Sequence, residues 1–229
     1  MTTQTDVNEY LKPRFYVDSD SLEVREFVRN HAKGNTLREK AVSLFLAVRD
    51  GFRYDPYSII FKQDEFKASV RIKKSSGFCI HKAIILTAVL REAGIPARLA
   101  FADVKNHLNT ERLKEIMKTD IFYYHGITEL FLEGQWLKVT PTFNIELCEM
   151  FGIMPLEFDG TSDCIFHPYD INGNKHMEYV NYHESYADFP YELISHEYRR
   201  LYPTIFAAEG AIFKGDFAQE AEEEKTNKK

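Results

Sequence analysis

Cys79 is the residue of this sequence best placed to act as a nucleophile. It begins the most apolar segment of the chain, residues 79–93 (CIHKAIILTAVLREA), whose pattern predicts a centrally buried helix. Unpaired backbone N–H groups and the positive end of the helix dipole would lower the pKa of its thiol. Gly77 would leave space for a substrate carbonyl, and the Cys79 N–H could stabilise the oxyanion. Alternatively, Cys79 is a small buried hydrophobic residue, as most free cysteines are.

A cysteine nucleophile needs a base, and His125 is the best candidate. It lies within residues 122–132 (FYYHGITELFL), which predict a β-strand. A second strand is predicted over residues 136–142, and the short link at Glu133-Gly134 indicates an antiparallel hairpin. The alternative for His125 is a half-buried strand histidine that is hydrogen-bonded to the backbone.

The predicted hairpin also suggests which side chains surround His125. With a two-residue turn, His125 faces Thr142 directly and lies diagonally from Thr140. Side chains two residues apart on a strand share one face of the sheet, so either hydroxyl could accept a hydrogen bond from the imidazole and fix its tautomer.

Several elements must hold these side chains in place. The helix that begins at Cys79 is predicted to end at Gly94 and Pro96, which are typical residues after a helix C-terminus. Residues 97–104 predict a short strand, and Leu37–Arg49 predicts a second helix with one apolar stripe.

The overall composition excludes several classes of protein. The chain has 229 residues, of which 44% are hydrophobic and 28% charged, as expected for a globular domain with an extension. The net charge of −6 argues against a general nucleic-acid-binding protein. The sequence shows no apolar stretch long enough to span a membrane and no secretion signal, so no membrane association is expected. Its odd number of cysteines, three, indicates reduced thiols and a cytoplasmic location.

Two blocks of the sequence resemble the transglutaminase-like superfamily. The run SSGFCIHKAIILTAVLREAGIPARLAFADV is similar to the core signature, a G-x-C that begins a helix followed by L-R-x-x-G-I-P-A-R before a strand. The run YYHGITELFLEGQWLKVTPTF is similar to the next block, a histidine strand followed by G-x-W-x-x-x-D-P-T. The matching residues are Gly77, Cys79, Leu90, Arg91, Gly94, Ile95, Pro96, Ala97 and Arg98 in the first block, and His125, Gly134, Trp136, Pro141 and Thr142 in the second.

The resemblance implies an α+β fold of the papain-like type, in which a central helix bearing the cysteine packs on an antiparallel sheet bearing the histidine. It implies that Cys79 is the nucleophile and His125 the base, and the third member of the triad falls on Thr140. The residues expected to line the substrate site are Gly77, Phe78, Tyr124 and Thr142.

Thr140 departs from the family pattern, in which this position is an aspartate. A hydroxyl accepts a hydrogen bond and can orient the ring, but it carries no charge to stabilise an imidazolium. Three interpretations follow: a Cys-His dyad oriented by Thr140, a substitute for the aspartate from elsewhere in the chain, or a loss of catalysis that leaves a peptide-binding module. The candidate substitutes are Asn144, Asp103 and Asp159.

The function that these residues favour is cysteine-dependent acyl chemistry through a thioester. The substrate would be a peptide, a protein or a small amide or ester, with water as acceptor in a hydrolase of the peptidase or amidase type and an amine as acceptor in an acyltransferase. This chemistry needs no metal or organic cofactor. Four histidines after residue 145, together with Asp163 and Cys164, fit none of the usual metal-ligand spacings; they are His167, His176, His183 and His196.

The sequence divides into four predicted regions. Residues 1–22 form a loosely packed N-terminal arm, and residues 23–144 form the transglutaminase-like core. Residues 145–216 form an aromatic-rich extension that packs on the core and would narrow the active-site cleft. Residues 217–229 are expected to be a disordered tail.

Overall fold

The computed structural model of the protein describes residues 7–59, 61–107, 109–166, 169–207 and 215–227. Its α-helices are α1 (Leu22–His31), α2 (Leu37–Gly51), α3 (Ala68–Ile72), α4 (Cys79–Glu92), α5 (Glu111–Met117), α6 (Ile145–Phe151), α7 (Tyr191–Leu201), α8 (Pro203–Ala207) and α9 (Phe217–Asn227). Its strands are β1 (Arg53–Tyr54), β2 (Ser76–Gly77), β3 (Ala97–Asn106), β4 (Ile121–Leu132), β5 (Gln135–Val139) and β6 (Met177–Tyr182).

Helix α4 packs on an antiparallel sheet of four strands, whose order is β5-β4-β3-β6. β1 and β2 form a separate, short parallel pair that places Tyr54 beside Gly77, just before α4 begins. The α+β architecture with a central helix on an antiparallel sheet is therefore confirmed.

Helix α4 is buried on all sides, as its apolar circumference predicts. Every residue from Cys79 to Arg91 is buried, and the helix contacts β3 and β4 as well as α1, α2 and α3. The chain leaves the helix at Gly94, whose φ of 82° lies in the left-handed region that glycine adopts without strain. The burial of so much apolar surface makes α4 the centre of the hydrophobic core.

The hairpin of β4 and β5 has the register that the sequence predicts. Thr128 pairs with Val139 and Leu132 pairs with Gln135 across a two-residue turn. Both turn residues, Glu133 and Gly134, have positive φ, as a type I′ turn requires. β5 ends at Val139. The residues that follow Val139 are no longer part of the strand and lie next to His125.

Close packing of β4 on the first turn of α4 depends on Gly126. A Cβ at this position would lie 2.9 Å from the Ile80 Cα and 3.1 Å from the Cys79 carbonyl oxygen. Only a glycine allows the sheet to approach the helix backbone this closely. The neighbour of Gly126 in the chain, His125, is thereby brought to the same end of α4.

Both terminal regions differ from the sequence-based expectation within the described residues. Residues 1–22 were expected to pack loosely, yet Tyr16 and Val17 are buried, and the Asp188 carboxylate accepts hydrogen bonds from their backbone N–H groups. Where a disordered tail was expected, helix α9 packs the ring of Phe217 against Tyr54. Each region gains order from contacts with a distant part of the chain, which local composition does not reveal.

The extension that follows the core contributes more regular structure than its weak periodicity indicates. β6 joins the sheet beside β3, and helices α6, α7 and α8 pack around the core. Of the helices in the ranges described above, none combines the length and the hydropathy needed to cross a membrane.

Candidate active site

Cys79 is the first residue of α4, and its side chain is almost completely buried, with 4% of the residue exposed. Burial raises the pKa of the thiol to about 11. The backbone N–H groups of Gly126, Ile80 and Cys79 itself act in the opposite direction, to a smaller extent. The expectation that the helix N-terminus would lower this pKa is therefore wrong, because the loss of solvation outweighs the N–H groups around the sulfur.

His125 lies in β4 and is also almost completely buried. Its Nε2 atom lies 3.0 Å from the Thr140 Oγ1 atom, so the predicted contact between imidazole and hydroxyl is present. Burial lowers the pKa of His125 to about 3, because the loss of hydration disfavours the protonated ring. The imidazole and the Cys79 thiol are therefore both neutral in this structure.

The hydrogen bonds of Thr140 indicate which nitrogen of His125 carries the proton. Thr140 Oγ1 donates to the Gly126 carbonyl oxygen at 3.4 Å, which leaves its lone pairs for acceptance. It then accepts from His125 Nε2–H and from the Thr142 hydroxyl, whose oxygen lies 2.9 Å away. With all three contacts formed as hydrogen bonds, the proton is assigned to Nε2 and Nδ1 is the basic nitrogen.

None of the three candidate substitutes for the missing aspartate is hydrogen-bonded to His125. Asp103 binds His183 instead, with 2.7 Å between Oδ1 and Nε2. Asn144 accepts a hydrogen bond from the Tyr54 backbone N–H, and Asp159 accepts from N–H groups of its own turn. None of these three side chains therefore takes the place of the aspartate beside His125.

The four residues that were expected to line the substrate site lie in environments that differ from one residue to the next. A Cβ at Gly77 would lie 3.0 Å from the His81 Cβ, so glycine at this position makes room for His81. The ring of Tyr124 stacks on His183, with 4.2 Å between ring centroids. Thr142 is buried and supports Thr140. Phe78 precedes Cys79 and lines a cavity beside the sulfur.

This cavity adjoins Cys79 and has a volume of about 30 Å³. Part of its wall comes from the core and part from helices α7 and α8 of the extension. The tyrosines that contribute to it were not predicted from the sequence, in which the high aromatic content of the extension was the only indication of Tyr198 and Tyr202. Representative lining residues are Tyr54, Phe78, Met117, Phe122, Tyr198 and Tyr202.

The described histidines of the extension have different partners. His176 packs near Phe143 and Phe166, His183 binds Asp103, and His196 is exposed beside Glu197. His167 lies outside the described residues. Within the part of the chain that the structure describes, no group of three or more potential ligand side chains is arranged to hold a metal ion.

A protein-family model for the transglutaminase-like superfamily matches residues 25–141. One solved structure with a similar fold comes from Cytophaga hutchinsonii and is described as a "putative cysteine protease". It is 18% identical with a TM-score of 0.47, and the match covers 80% of this chain and 56% of that one, so this chain spans little more than half of its length. No curated protein gives a significant match. Family membership supports cysteine-based catalysis in general terms. The family match covers half of the sequence and includes Cys79, His125 and Thr140, and the chain belongs to the transglutaminase-like superfamily.

Proposed function

We propose that this protein is a cysteine-dependent acyl-transfer enzyme, in which Cys79 attacks an amide or ester carbonyl and forms a thioester. The observation that carries the proposal is the hydrogen bond between His125 Nε2 and Thr140 Oγ1, because in the tautomer with the proton on Nε2 it leaves Nδ1 available as a base. The contact of Gly126 with the first turn of α4 supports it, since this contact brings the histidine strand to the cysteine end of the helix.

The proposed reaction starts from a neutral thiol and a neutral imidazole. As the sulfur–carbon bond forms, the thiol proton passes to His125 Nδ1, and negative charge develops on the carbonyl oxygen. The Cys79 backbone N–H at the start of α4 is a donor for this oxyanion. His125 then returns the proton to the leaving amine or alcohol as the carbon–nitrogen or carbon–oxygen bond breaks. Water or an amine attacks the thioester, with His125 again as base, and the thiol is released.

Thr140 has a limited role in this mechanism. Its hydroxyl holds the tautomer of His125, but it cannot neutralise the imidazolium that exists briefly after proton transfer. Neither the Cys79 thiol nor the His125 imidazole is charged before the reaction. The resting state therefore needs no carboxylate to balance a positive charge. The hydroxyl is therefore a suitable partner for a buried imidazole that acts as a general base.

A peptide-binding module is the second candidate, and the burial of Cys79 together with its raised pKa favours it. In that case the cleft would serve recognition alone, and His125 would not affect the reactivity of the thiol. The two candidates therefore differ in whether His125 affects the reactivity of the Cys79 thiol, which can be measured.

The test is the rate at which iodoacetamide alkylates Cys79, measured by peptide mass mapping in the wild type and in His125→Ala. The proposed enzyme requires the rate near neutral pH to fall by at least about tenfold in the variant, because the general base is lost. The matched control is His196→Ala, whose side chain is exposed, and its rate should equal that of the wild type. Equal rates in all three proteins, with the fold intact, would support the binding module.

A second measurement checks the charge state of the pair. The pKa of Cys79 is raised to about 11, so thiolate absorbance that depends on Cys79 should be absent at neutral pH and should appear only as the pH approaches that value. A thiolate–imidazolium pair would instead absorb at neutral pH and lose this absorbance in Cys79→Ser. That result would contradict the neutral starting state.

The choice between hydrolysis and transfer to an amine belongs to this proposal and depends on which acceptor reaches the thioester. A mixture of water and a primary amine, analysed by product mass, distinguishes the two. All three cysteines are free thiols, and a cytoplasmic location stays a prediction from the sequence.

A further inference from the structure

Cys79 is closed off from solvent in this structure. The residue is 4% exposed, and the adjoining cavity of about 30 Å³ has room for a water molecule or two. An amide or ester substrate is larger than this, so a wall of the cavity has to move before a substrate reaches the sulfur. Access to Cys79 therefore depends on a rearrangement of the residues around it.

Tyr54 borders the surroundings of both the sulfur and the imidazole. It lines the cavity beside Cys79, and it also lines a second cavity, of about 10 Å³, whose lining includes His125. Tyr54 belongs to β1, a strand of two residues that pairs with the equally short β2. Such a short pair of strands has little stability of its own. Displacement of the Tyr54 ring would therefore enlarge both cavities at once.

Helix α9 contacts the ring of Tyr54 through Phe217. Phe217 is the first residue of α9 and is 3% exposed, and its ring packs edge-on against Tyr54 with 5.8 Å between the ring centroids. The same ring contacts Phe151 at 5.5 Å and Tyr57 at 6.5 Å. Phe217 therefore joins α9 to the residue that lines the cavity beside Cys79.

The polar contacts that hold α9 lie near the surface. Asp216, just before the helix, pairs with Arg53 at 2.9 Å, and Glu220 pairs with Arg112 at 3.2 Å. The Tyr57 hydroxyl also donates to the Glu220 carboxylate. About half of each arginine side chain is exposed, and exposed ion pairs are individually weak and are screened by salt. These contacts orient α9 on the core without fixing it strongly.

Helix α9 buries little apolar surface compared with the central helix. Of the α9 side chains that the structure describes, at residues 217–223, those of Phe217 and Ala221 are buried. In α4, by contrast, every residue from Cys79 to Arg91 is buried. Elements with few buried apolar contacts open locally at a smaller free-energy cost than the core does. We therefore expect α9 to detach while α4 and the sheet stay folded.

We propose that α9 is an autoinhibitory latch: when attached it holds Tyr54 beside Cys79, and when detached it lets Tyr54 move and admits a substrate to the sulfur. The proposal goes beyond the proposed function, because it concerns access to the thiol and applies whether the site performs acyl transfer or recognition. It also explains the burial of Cys79, since α9 is attached in this structure.

The test is the rate at which iodoacetamide alkylates Cys79 in the full-length chain, measured by peptide mass mapping. Phe217→Ala removes the apolar anchor of the latch and should raise this rate by about tenfold or more, because the detached state becomes more populated. The matched control is Phe158→Ala. Phe158 is 4% exposed, packs on Phe45 and is not one of the described residues that line either cavity. Its variant should react at the wild-type rate, and a rise equal to that of Phe217→Ala would overturn the proposal.

A charge exchange tests the latch without removing an apolar side chain. Arg112→Glu brings two carboxylates together at the contact with Glu220 and should raise the alkylation rate by about threefold. Glu220→Arg in the same chain restores opposite charges and should return most of the rate toward the wild-type value. This pair of variants decides the outcome if Phe217→Ala does not fold. Wild-type rates in all of the folded variants would overturn the proposal.

The outcomes separate the latch from the proposed function. The rise caused by Phe217→Ala is measured again in chains that carry His125→Ala, where it should persist, because access to the sulfur does not require the base. A rise in both backgrounds supports the latch, even when His125→Ala alone leaves the rate unchanged and so contradicts acyl transfer. No rise in a folded Phe217→Ala variant, in a protein whose Cys79 reactivity depends on His125, would overturn the latch and leave the proposed function standing.

Discussion

Two imidazoles of this protein lie near the same part of the sheet, and they have different partners. His125 contacts the Thr140 hydroxyl and is almost fully buried. His183, which directly follows β6, lies 2.7 Å from the Asp103 carboxylate, and 20% of its side chain remains exposed. The carboxylate that a cysteine–histidine–aspartate triad requires is thus present in the neighbourhood but is paired with the other histidine.

The difference between the two pairs follows from the cost of burying charge. A carboxylate beside the deeply buried His125 would need a protonated ring to compensate it, and both charges would lose their hydration. A hydroxyl is uncharged and needs no protonated ring beside it. Burial keeps His125 neutral, with its pKa lowered to about 3. The more exposed site can hold a carboxylate, because solvent still reaches it.

Asp103 also acts on the backbone that leads to His125. Its Oδ1 atom accepts a hydrogen bond from the Tyr124 N–H, and Tyr124 has a φ of 53°, a strained value for a non-glycine residue. The ring of Tyr124 stacks on His183 at the same place. We therefore expect the pair of His183 and Asp103 to position the strand, and the pair of His125 and Thr140 to perform the chemistry.

Exchange of each histidine for glutamine should give the largest difference in the rate of Cys79 acylation. His125→Gln removes the base and should lower the rate of Cys79 acylation by a factor of about 10²–10⁴. His183→Gln retains a polar side chain near Asp103 and should lower the rate by less than about tenfold. Acylation by an activated phenylpropionate ester, followed by mass spectrometry, measures both. Equal losses in two folded variants would contradict this division of roles.

The sequence predicted the pair of His125 and Thr140 but not the pair of His183 and Asp103. Burial of α4, the two-residue turn and the register of β4 and β5 follow from local patterns, so His125 and Thr140 could be placed together. The partnership of Asp103 and His183 depends on β6, which comes from a region with little periodicity and inserts beside β3. Strand pairing over such sequence distances is decided by tertiary packing, which local patterns do not report.

The electrostatics of the site were predicted less well than its geometry. The position of Cys79 at a helix N-terminus indicated a lowered pKa, and the N–H groups do act in this direction. Burial of the sulfur in the assembled structure adds the desolvation that reverses the result. Desolvation is a property of the assembled layers, so the residues around the cysteine in the sequence could not reveal it.

Substitution of Thr140 should give an intermediate effect. Thr140→Val removes the acceptor for His125 Nε2–H and should lower the acylation rate by about tenfold, the equivalent of one buried hydrogen bond. Thr140→Asp should leave the rate unchanged or raise it, and it should raise the pKa of His125 from its low value, because a carboxylate favours the protonated ring. The pH dependence of acylation and the histidine NMR signals measure these changes.

A different result for Thr140→Asp would also be informative. A loss of more than tenfold with the fold intact would mean that the hydroxyl has a further role, for which its contacts with Thr142 and the Gly126 carbonyl are the candidates. Thr142→Val serves as the control, since it removes the second hydroxyl and leaves the contact with His125 in place.

Asp103→Asn should have the smallest effect. The asparagine side chain can still accept a hydrogen bond from the Tyr124 N–H, so the backbone before His125 should stay in place while the charge beside His183 is lost. We expect a reduction of about threefold in the acylation rate, with an unchanged pH profile of Cys79 labelling. Asp163→Asn is the matched control, because Asp163 also accepts a hydrogen bond from a strand N–H, that of Lys138. A change in the pH profile for Asp103→Asn alone would show that this carboxylate acts on the ionisation of the cysteine–histidine pair as well as on the strand that carries it.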